Sequence, residues 1–321
     1  MTILSLPRIA IILIVTISLL SVIPTETHSE ERKYKWGQLR ENLSEKREII
    51  ADNKDSKRGQ KVIANKGFYK NGNGTLETLS LNERDFIVYT PVKYSSSDDI
   101  KRPLLIVLHG GLGRAEQIQN YIGLDPLADQ KNFIVAYLDG TKVSKVLPKK
   151  RKGWNAGGCC GLPEDNKVDD IAHIANVVDY MQNHYNIDTS RVFGTGHSNG
   201  GMMTQRIFCE TDLYAGAVSI SGTLQIENAS CKAAAGKKIL NIHGAQDANL
   251  PPEGGHTTTG VNKETNYKSQ DYAREIYERD GAHYDLLLLE GAEHKPDTIN
   301  LALIKTEHTT LPQKIVTYLG L

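Results

Sequence analysis

The sequence lacks a net charge, since 38 Lys and Arg residues balance 38 Asp and Glu residues. This balance argues against electrostatic capture of nucleic acid as the main activity. The chain also lacks internal repeats and low-complexity tracts. Of its 321 residues, 39% are hydrophobic, which is enough for a large core and excludes a disordered chain.

Charged residues are missing from one stretch near the N-terminus. Residues 9–23 follow Arg8 and contain only hydroxyls as polar groups, and Pro24 and the small residues Thr27 and Ser29 come next. This pattern is typical of a secretory signal peptide over residues 1–29. It predicts a secreted or periplasmic protein with no stable membrane partner. The alternative is an uncleaved membrane anchor, for which the apolar run is short.

Cysteine is scarce: the chain has four, and no two are spaced as CxxC. A small disulfide scaffold is therefore excluded, and a zinc site is not indicated. No metal or organic cofactor is expected. In an exported protein the even number predicts two structural disulfides, with three possible connectivities that include a bond between neighbours. The four residues are Cys159, Cys160, Cys209 and Cys231.

Composition divides the remaining chain once. Residues 30–70 hold 12 basic and 7 acidic residues and few large apolar ones, which predicts a charged N-terminal extension at residues 30–80. Beyond it, apolar β-rich runs alternate with amphipathic runs of helical length. This alternation predicts a single α/β catalytic domain at residues 81–321, with a mostly parallel central sheet flanked by helices.

The alternation defines individual elements. Strands are predicted at residues 85–90, 104–108, 133–137, 191–194, 215–220, 238–242 and 284–289. Helices are predicted at residues 115–129, 169–185, 200–210, 270–280 and 311–319. The middle strands are continuously apolar, as strands covered on both faces should be.

One serine has the sequence context of a nucleophile. Gly196-x-Ser198-x-Gly200 follows an apolar strand and opens a helix, which is the setting of a nucleophile elbow. Side chains two residues before and after the serine would collide with the neighbouring strand and helix, so both positions are glycine. The alternative is a tight turn with an idle serine.

A serine nucleophile needs a base, and the base needs a carboxylate that fixes its tautomer. Asp247 is the predicted carboxylate, because it follows a strand through a short loop. Asp212 and Asp280 rank lower because each follows a helix. The alternative role for Asp247 is that of a turn residue.

The predicted base is His294, which follows the last strong strand. A loop at that point can reach back over the strand ends. His283 precedes the same strand and would lie at the opposite edge of the sheet. His109 and His243 are expected to shape their loops rather than to transfer protons.

The reaction also needs backbone N–H donors for an oxyanion. Asn199 directly follows the serine, and the loop His109-Gly110-Gly111-Leu112-Gly113 follows the strand at residues 104–108. We therefore expect donors at Asn199 and Gly111, or at Leu112 if the turn is shifted by one residue. The predicted substrate-binding residues are Trp154, His197 and His256, although core packing is an equal alternative for Trp154.

Several segments together resemble one known family. They are Gly153-Trp-Asn-Ala-Gly-Gly-Cys-Cys-Gly161 with Val168-Asp-Asp170, Gly196-His-Ser-Asn-Gly-Gly-Met-Met203 with Cys209-Glu210, and Ile242-His-Gly through Asp247 with Pro251-Pro-Glu-Gly-Gly255. From about residue 85 onward the chain resembles the secreted α/β-hydrolase esterases that include polyhydroxybutyrate depolymerases, feruloyl esterases and acetylxylan esterases.

The resemblance implies an α/β-hydrolase fold and a serine esterase in which Ser198, Asp247 and His294 are nucleophile, acid and base. It also implies structural disulfides, because the four cysteines stand where the family carries cysteine. The expected partner is an ester substrate, either a small molecule or a polymer.

Two departures from the family pattern leave the substrate open. Many relatives carry an aromatic residue and then proline after the catalytic histidine, whereas this chain has His294-Lys295-Pro296. Relatives also often carry cysteine where Gly281-Ala282 stands. Two other classes of function remain as alternatives: a serine peptidase of related fold, and a non-catalytic binding module on a hydrolase scaffold.

Overall fold

Strands and helices alternate along the chain after an initial hairpin. The structure, a computed structural model, describes residues 72–145, 151–257 and 265–321. The predicted signal peptide at residues 1–29, and residues 30–71 of the predicted extension, lie outside the described residues. None of the helices in the described part has the length and apolarity that a membrane crossing needs.

The secondary structure is as follows. The strands are β1 (Thr75–Leu81), β2 (Arg84–Thr90), β3 (Arg102–Leu108), β4 (Ile134–Leu138), β5 (Thr141–Lys142), β6 (Lys152–Gly153), β7 (Ile187–His197), β8 (Gly216–Ile220), β9 (Lys238–Gly244), β10 (Gly255–His256), β11 (Asn266–Tyr267) and β12 (His283–Leu289). The helices are α1 (Ala115–Ile122), α2 (Asp125–Lys131), α3 (Leu162–Asp165), α4 (Asp170–His184), α5 (Asn199–Glu210), α6 (Gln270–Arg279), α7 (Pro296–Glu307) and α8 (Leu311–Leu319).

Eight strands form one sheet in the order β1-β2-β4-β3-β7-β8-β9-β12. The pairs β1–β2 and β2–β4 are antiparallel, and the six strands from β4 to β12 are parallel to one another. Parallel neighbours require crossover connections, and helices supply most of them. The prediction of a mostly parallel sheet flanked by helices is confirmed.

The central strands are covered on both faces. All seven residues of β3 are buried, and its alternating side chains enter different apolar clusters. Leu104 and Ile106 pack on one face, and Leu105 and Val107 pack on the other. Each such side chain contributes about 1.5–3 kcal/mol by leaving water. This burial explains why the part of β3 at residues 104–108 is continuously apolar.

The predicted helix at residues 115–129 is two helices. Gly123 ends α1 with a left-handed backbone, at a φ of 70°, which a residue without a Cβ adopts at little cost. Pro126 then lies in the first turn of α2, where its missing N–H leaves no hydrogen bond unmade.

Seven of these elements were not predicted: the short β5, β6, β10, β11 and α3, and the longer β1 and α7. β1 pairs with the whole of β2, so the sheet begins at residue 75, before the boundary at residue 81 that composition suggested. Its side chains are only partly covered, and its sequence includes Glu77 and Ser80. α7 follows Lys295 and leaves Leu301 and Ile304 exposed, which obscures its amphipathic pattern.

Strand direction places the predicted site residues at one edge of the sheet. β3, β7, β9 and β12 are parallel, so their carboxyl ends lie along the same side. The loops after these strands carry Gly111, Ser198, Asp247 and His294. In sheets of this kind ligands bind beyond the carboxyl ends of the strands.

Candidate active site

Ser198 occupies a sharp turn between β7 and α5. Its φ of 57° and ψ of −123° are unusual for a residue with a side chain. A Cβ at Gly196 would meet the carbonyl of Gly200, and one at Gly200 would meet the carbonyls of Leu108 and His109. Both glycines are therefore required for the turn to lie this close to β3.

Ser198, His294 and Asp247 form a continuous hydrogen-bonded line. The Nε2 atom of His294 lies 2.9 Å from Oγ of Ser198, and its Nδ1 atom lies 2.7 Å from Oδ2 of Asp247. An ionised carboxylate only accepts hydrogen bonds, so Nδ1 carries the proton and Nε2 is left to accept from the serine. The histidine side chain is 13% exposed and that of Asp247 is fully buried.

The carboxylate of Asp247 is stabilised as an anion. Burial on its own raises the pKa of Asp247, but hydrogen bonds from His243 and His294 outweigh burial and hold the pKa well below its usual value. The backbone N–H groups of Asn249 and Leu250 donate to the other carboxylate oxygen, each at 2.9 Å. Asp247 is therefore charged throughout the neutral pH range.

The loop after β3 holds one peptide plane in a defined orientation. The N–H of Gly140 donates to Nε2 of His109 at 3.0 Å, so the ring proton is on Nδ1 and donates to the carbonyl of Gly110 at 2.8 Å. The N–H of Gly113 donates to the same carbonyl at 3.0 Å. In a trans peptide the next N–H points the opposite way. The N–H of Gly111 therefore points away from the inside of this turn. Gly111 itself lines the cavity beside Ser198.

Asn199 supplies the other predicted donor. It is the first residue of α5, where backbone N–H groups have no partner within the helix. Its side chain is engaged elsewhere: Oδ1 accepts from the N–H of Trp154 at 2.8 Å, and Nδ2 donates to the Trp154 carbonyl at 3.0 Å. These two bonds fix the start of the helix.

A cavity of about 280 Å³ opens in front of Ser198. Its wall combines apolar and polar side chains, among them Leu112, Ile118, Tyr121, Met202, Leu250 and Tyr267. Arg151 and Lys295 are its cationic members, and within the described residues no carboxylate side chain lines it. The cavity is therefore suited to a small uncharged or anionic group next to the serine.

His197 lines this cavity and contacts His294. Burial, together with the nearby His294, lowers the pKa of His197 to about 3, so its ring is neutral. Its Nε2 lies 2.8 Å from the carbonyl oxygen of His294 and donates to it, because a carbonyl only accepts. The predicted substrate-binding residue thus also anchors the backbone of His294.

The other two predicted substrate-binding residues are not in the cavity wall. Trp154 is fully buried, and its indole N–H donates to the carbonyl of His109 at 2.9 Å. This burial favours the alternative of core packing over substrate binding. His256 is exposed on β10 and does not line the cavity. Its strand pairs with β11, whose Tyr267 does line the cavity.

The structure pairs Cys159 with Cys160 and Cys209 with Cys231. Of the three connectivities that the sequence allowed, this is the one with the bond between neighbours. Cys160 lines the cavity, and the Nδ2 atom of Asn199 lies 3.6 Å from its sulfur. Cys209 and Cys231 join α5 to the short 3₁₀ turn Lys232–Ala234.

Two residues near the site were given no contact with Asp247 or its partners by the sequence, which assigned His243 only the shaping of its loop. His243 contacts Asp247, with 3.2 Å between Nε2 and Oδ2, and Gln270 contacts His243. The spacing of His243 and Asp247 in one strand and loop is a signal that could have suggested the first contact. Gln270 lies 27 residues further along and carries no comparable signal.

Comparisons with known proteins agree with this architecture. The sequence profile of the Prolyl oligopeptidase family matches residues 161–233. NocK of Nocardia uniformis subsp. tsuyamanensis, named as an esterase, is 32% identical over 157 residues, which is 48% of this chain and 42% of that protein. Feruloyl esterase B of Piromyces equi is 29% identical over 170 residues, 51% of this chain and 30% of the relative. The acetylxylan esterase of Coprinopsis cinerea is 35% identical over 130 residues, 39% and 33% of the two chains. The matches thus cover less than half the length of each relative.

Solved structures show the same fold at low sequence identity. A protein described as a dipeptidyl aminopeptidase IV of Bacteroides ovatus has a TM-score of 0.54 at 14% identity, covering 73% of this chain and 35% of that one. The Bacillus cereus carboxylesterase has a TM-score of 0.50 at 15% identity, covering 71% and 96%. Together with the parallel sheet and the strand–turn–helix around Ser198, they show that the chain has the α/β-hydrolase fold.

Proposed function

We propose that this chain is a serine esterase that hydrolyses carboxylic esters through Ser198, His294 and Asp247. The observation that carries the proposal is the hydrogen-bonded line of these three side chains, with separations of 2.9 and 2.7 Å, at the edge of an open cavity. Three relatives are named as an esterase, a feruloyl esterase and an acetylxylan esterase. Among the acyl-transfer reactions that such a site could catalyse, these names support ester hydrolysis.

The geometry suits a two-step acyl transfer. Ser198 attacks the ester carbonyl while His294 takes its proton, and Asp247 holds the ring and stabilises the imidazolium. The N–H groups of Gly111 and Asn199 bind the oxygen that becomes negative. His294 then returns the proton to the departing alcohol. Water repeats the sequence on the acyl-enzyme and releases the acid.

The substrate is proposed as an ester of the hydroxyalkanoate, feruloyl or acetyl type. These types differ in acyl size rather than in catalytic groups, so the cavity wall decides among them. Turnover of aryl acetate and butyrate esters, methyl ferulate, acetylated xylan and hydroxybutyrate oligomers would rank them. A substrate class that the chain does not hydrolyse would be removed from the proposal.

Ser198→Ala is the direct test of the proposal. We expect it to lower kcat for an aryl acetate by a factor of about 10³ or more, because the nucleophile is lost. It should also abolish labelling by a fluorophosphonate probe. Ser97→Ala, at an exposed loop serine, is the matched control and should retain both. Activity of Ser198→Ala near wild type would contradict the assignment, and an unlabelled wild type would favour a binding module.

A peptidase is the second candidate function, favoured by the match of residues 161–233 to the Prolyl oligopeptidase family. The same serine would attack an amide instead of an ester. A panel of peptide p-nitroanilides with the same Ser198→Ala control separates the two. We expect kcat/KM for esters to exceed that for peptides by orders of magnitude, and the reverse ranking would make the chain a peptidase.

Export is proposed as well, from the predicted signal peptide at residues 1–29. The cysteine pairing supports it, because disulfides persist outside the cytosol. N-terminal sequencing of protein recovered from the medium or periplasm is the test. We expect a start near residue 30, and retention of the apolar run with a membrane fraction would indicate an anchor instead.

A further inference from the structure

The carboxylate of Asp247 has a second histidine partner besides His294. The Nε2 atom of His243, on β9, lies 3.2 Å from Oδ2 of Asp247 and 2.9 Å from the carbonyl oxygen of Leu250. His243 is fully buried, so no water competes for its ring. Whether it helps Asp247 depends on which ring nitrogen carries the proton.

The surroundings of Gln270 fix that proton. One end of its side-chain amide lies 3.0 Å from the carbonyl oxygen of Gly222. A carbonyl only accepts, so this end must be the nitrogen. The same nitrogen lies 3.2 Å from Nδ1 of His243. Nδ1 is therefore the acceptor and the ring proton is on Nε2. This N–H donates to the Leu250 carbonyl at 2.9 Å, with Oδ2 of Asp247 3.2 Å from the same nitrogen.

The other end of the amide agrees with this orientation. Its oxygen accepts from the hydroxyl of Tyr284 at 2.7 Å and from the side-chain nitrogen of Asn241. Asn241 Nδ2 in turn donates to the Gly222 carbonyl at 2.7 Å. Gln270, Asn241 and Tyr284 are all buried. The reverse orientation of the Gln270 amide would set its oxygen against the carbonyl oxygen of Gly222.

We propose that His243 and Gln270 are positioning residues, which keep Asp247 ionised and directed at His294 by fixing a donor on its Oδ2 oxygen. This inference rests on the esterase function proposed above. Neither residue touches the reacting atoms. A charged carboxylate in a buried site needs donors for its lone pairs, and a donor of fixed tautomer provides one without movement.

A pair of substitutions at His243 tests the donor itself. His243→Gln places an amide nitrogen near the position of Nε2 and keeps a donor for Asp247, whereas His243→Leu removes it. We expect kcat to fall by about tenfold to a hundredfold in His243→Leu, with KM within about twofold, because the loss concerns the transition state. His243→Gln should recover most of this loss.

The pH profile separates positioning from a structural effect. Without the donor, the charge of Asp247 is less neutralised and His294 holds its proton more strongly, so the acidic limb of kcat/KM should move to higher pH in His243→Leu but not in His243→Gln. The other titratable groups that face this network are His197 from β7, Tyr267 from β11 and Tyr284 from β12, and they are the same in both variants.

Two variants test the contribution of Gln270 to the orientation of His243. Gln270→Met removes the donor to Nδ1 of His243 but leaves the Leu250 carbonyl as an acceptor for Nε2. We therefore expect a fall in kcat in the same direction as in His243→Leu but smaller. Tyr284→Phe removes only the far hydroxyl, while Gly222 still orients the amide, so its kcat should stay within about twofold of wild type. Circular dichroism and Tm verify that each variant is folded.

The outcomes distinguish this inference from the function on which it rests. Wild-type kcat and an unchanged acidic limb in folded His243→Leu and Gln270→Met would overturn the positioning role, and so would equal impairment of His243→Gln and His243→Leu. If Ser198→Ala abolishes ester turnover in the same assay, only the positioning role then fails. If the wild type hydrolyses no ester, the proposed function fails and this inference with it.

Discussion

Nδ1 of His109 donates a hydrogen bond of 2.8 Å to the carbonyl oxygen of Gly110, the next residue in the chain. Burial lowers the pKa of His109 to about 4, so the ring stays neutral, and Gly140 fixes its tautomer. The bond orients the peptide that presents the N–H of Gly111. A side chain outside the proposed triad therefore helps to set where one expected oxyanion donor points.

His109→Gln and His109→Asn separate the two hydrogen bonds of this ring. An Asn amide nitrogen lies near the position of Nδ1 and can still donate to Gly110, whereas a Gln amide lies near Nε2 and cannot. We expect kcat to fall by about tenfold in His109→Gln, with little change in KM, and to fall less in His109→Asn. Complete loss of one oxyanion donor costs about 10²–10³, and Gly113 still holds the carbonyl in both variants. Steady-state kinetics on an aryl acetate measures the difference, and equal values in both variants would contradict the argument.

Gly200→Ala is expected to displace the nucleophile turn. Its Cβ would meet the backbone carbonyls of Leu108 and His109, which belong to the buried strand β3 and its loop and have no room to move. A shift of about 1 Å in Ser198 can lower kcat by about 10². Gly216→Ala is the control, because a Cβ there finds only contacts of 3.5 Å or more. A Gly200→Ala variant with wild-type kcat would show that the turn tolerates the methyl group.

The stability of the fold should fall on mild acidification because of His173. Burial, with the charges of Arg84 and Lys152, lowers the pKa of His173 to about 3, below the value of about 6.5 in an unfolded chain. Between these values only the unfolded state takes up the proton. The free energy of unfolding therefore falls as the pH falls from about 6.5 to 3, by at most about 1.4 kcal/mol per pH unit.

His173→Leu should remove this part of the pH dependence. Neither ring nitrogen of His173 has a hydrogen-bond partner within the described residues, so leucine loses no bond there. Urea unfolding at pH 7.5 and 5.0 measures the effect, and we expect the variant to exceed wild type at pH 5.0 by about 1–2 kcal/mol. His256→Gln, at an exposed histidine, serves as the control and should behave as wild type at both pH values.

The bond between Cys209 and Cys231 should stabilise the fold through the loop it closes. The two residues are 22 positions apart, and a loop of this length gives about 3 kcal/mol by restricting the unfolded chain. Cys209→Ala with Cys231→Ala should lower the free energy of unfolding in urea by about that amount. The same measurement with reductant present should bring wild type close to the double variant. An equal stability of the two oxidised proteins would argue against this contribution.

Local sequence patterns were sufficient for the central fold and the candidate nucleophile. Residues 104–108 of β3 and 134–138 of β4 are apolar because both faces of the sheet are covered there. Ser198 is marked by the glycines that its turn requires. β1 escaped prediction because it is half exposed and mixed in composition. The length of the helix after β3 was overestimated because a single residue, Gly123, ends it.

Contacts between distant segments could not be predicted in the same way. The side chain of Trp154 is equally compatible with a cleft and a core, and only the positions of His109 and Asn199 decide between them. The orientation of Gln270 depends on the carbonyl of Gly222, which no pattern in the sequence marks. Catalytic residues of this fold lie at strand ends and can be inferred from chain order, whereas the residues that orient them depend on the packed structure.

The place of Trp154 makes the site observable by its own fluorescence. The chain has two tryptophans, Trp36 and Trp154, so Trp36→Phe would leave a single indole. That indole binds the carbonyl of His109 while its backbone binds the side chain of Asn199. Its emission would therefore respond if the loop at residues 109–113 moved away from α5. The change would require no substrate and could be followed by stopped-flow fluorescence.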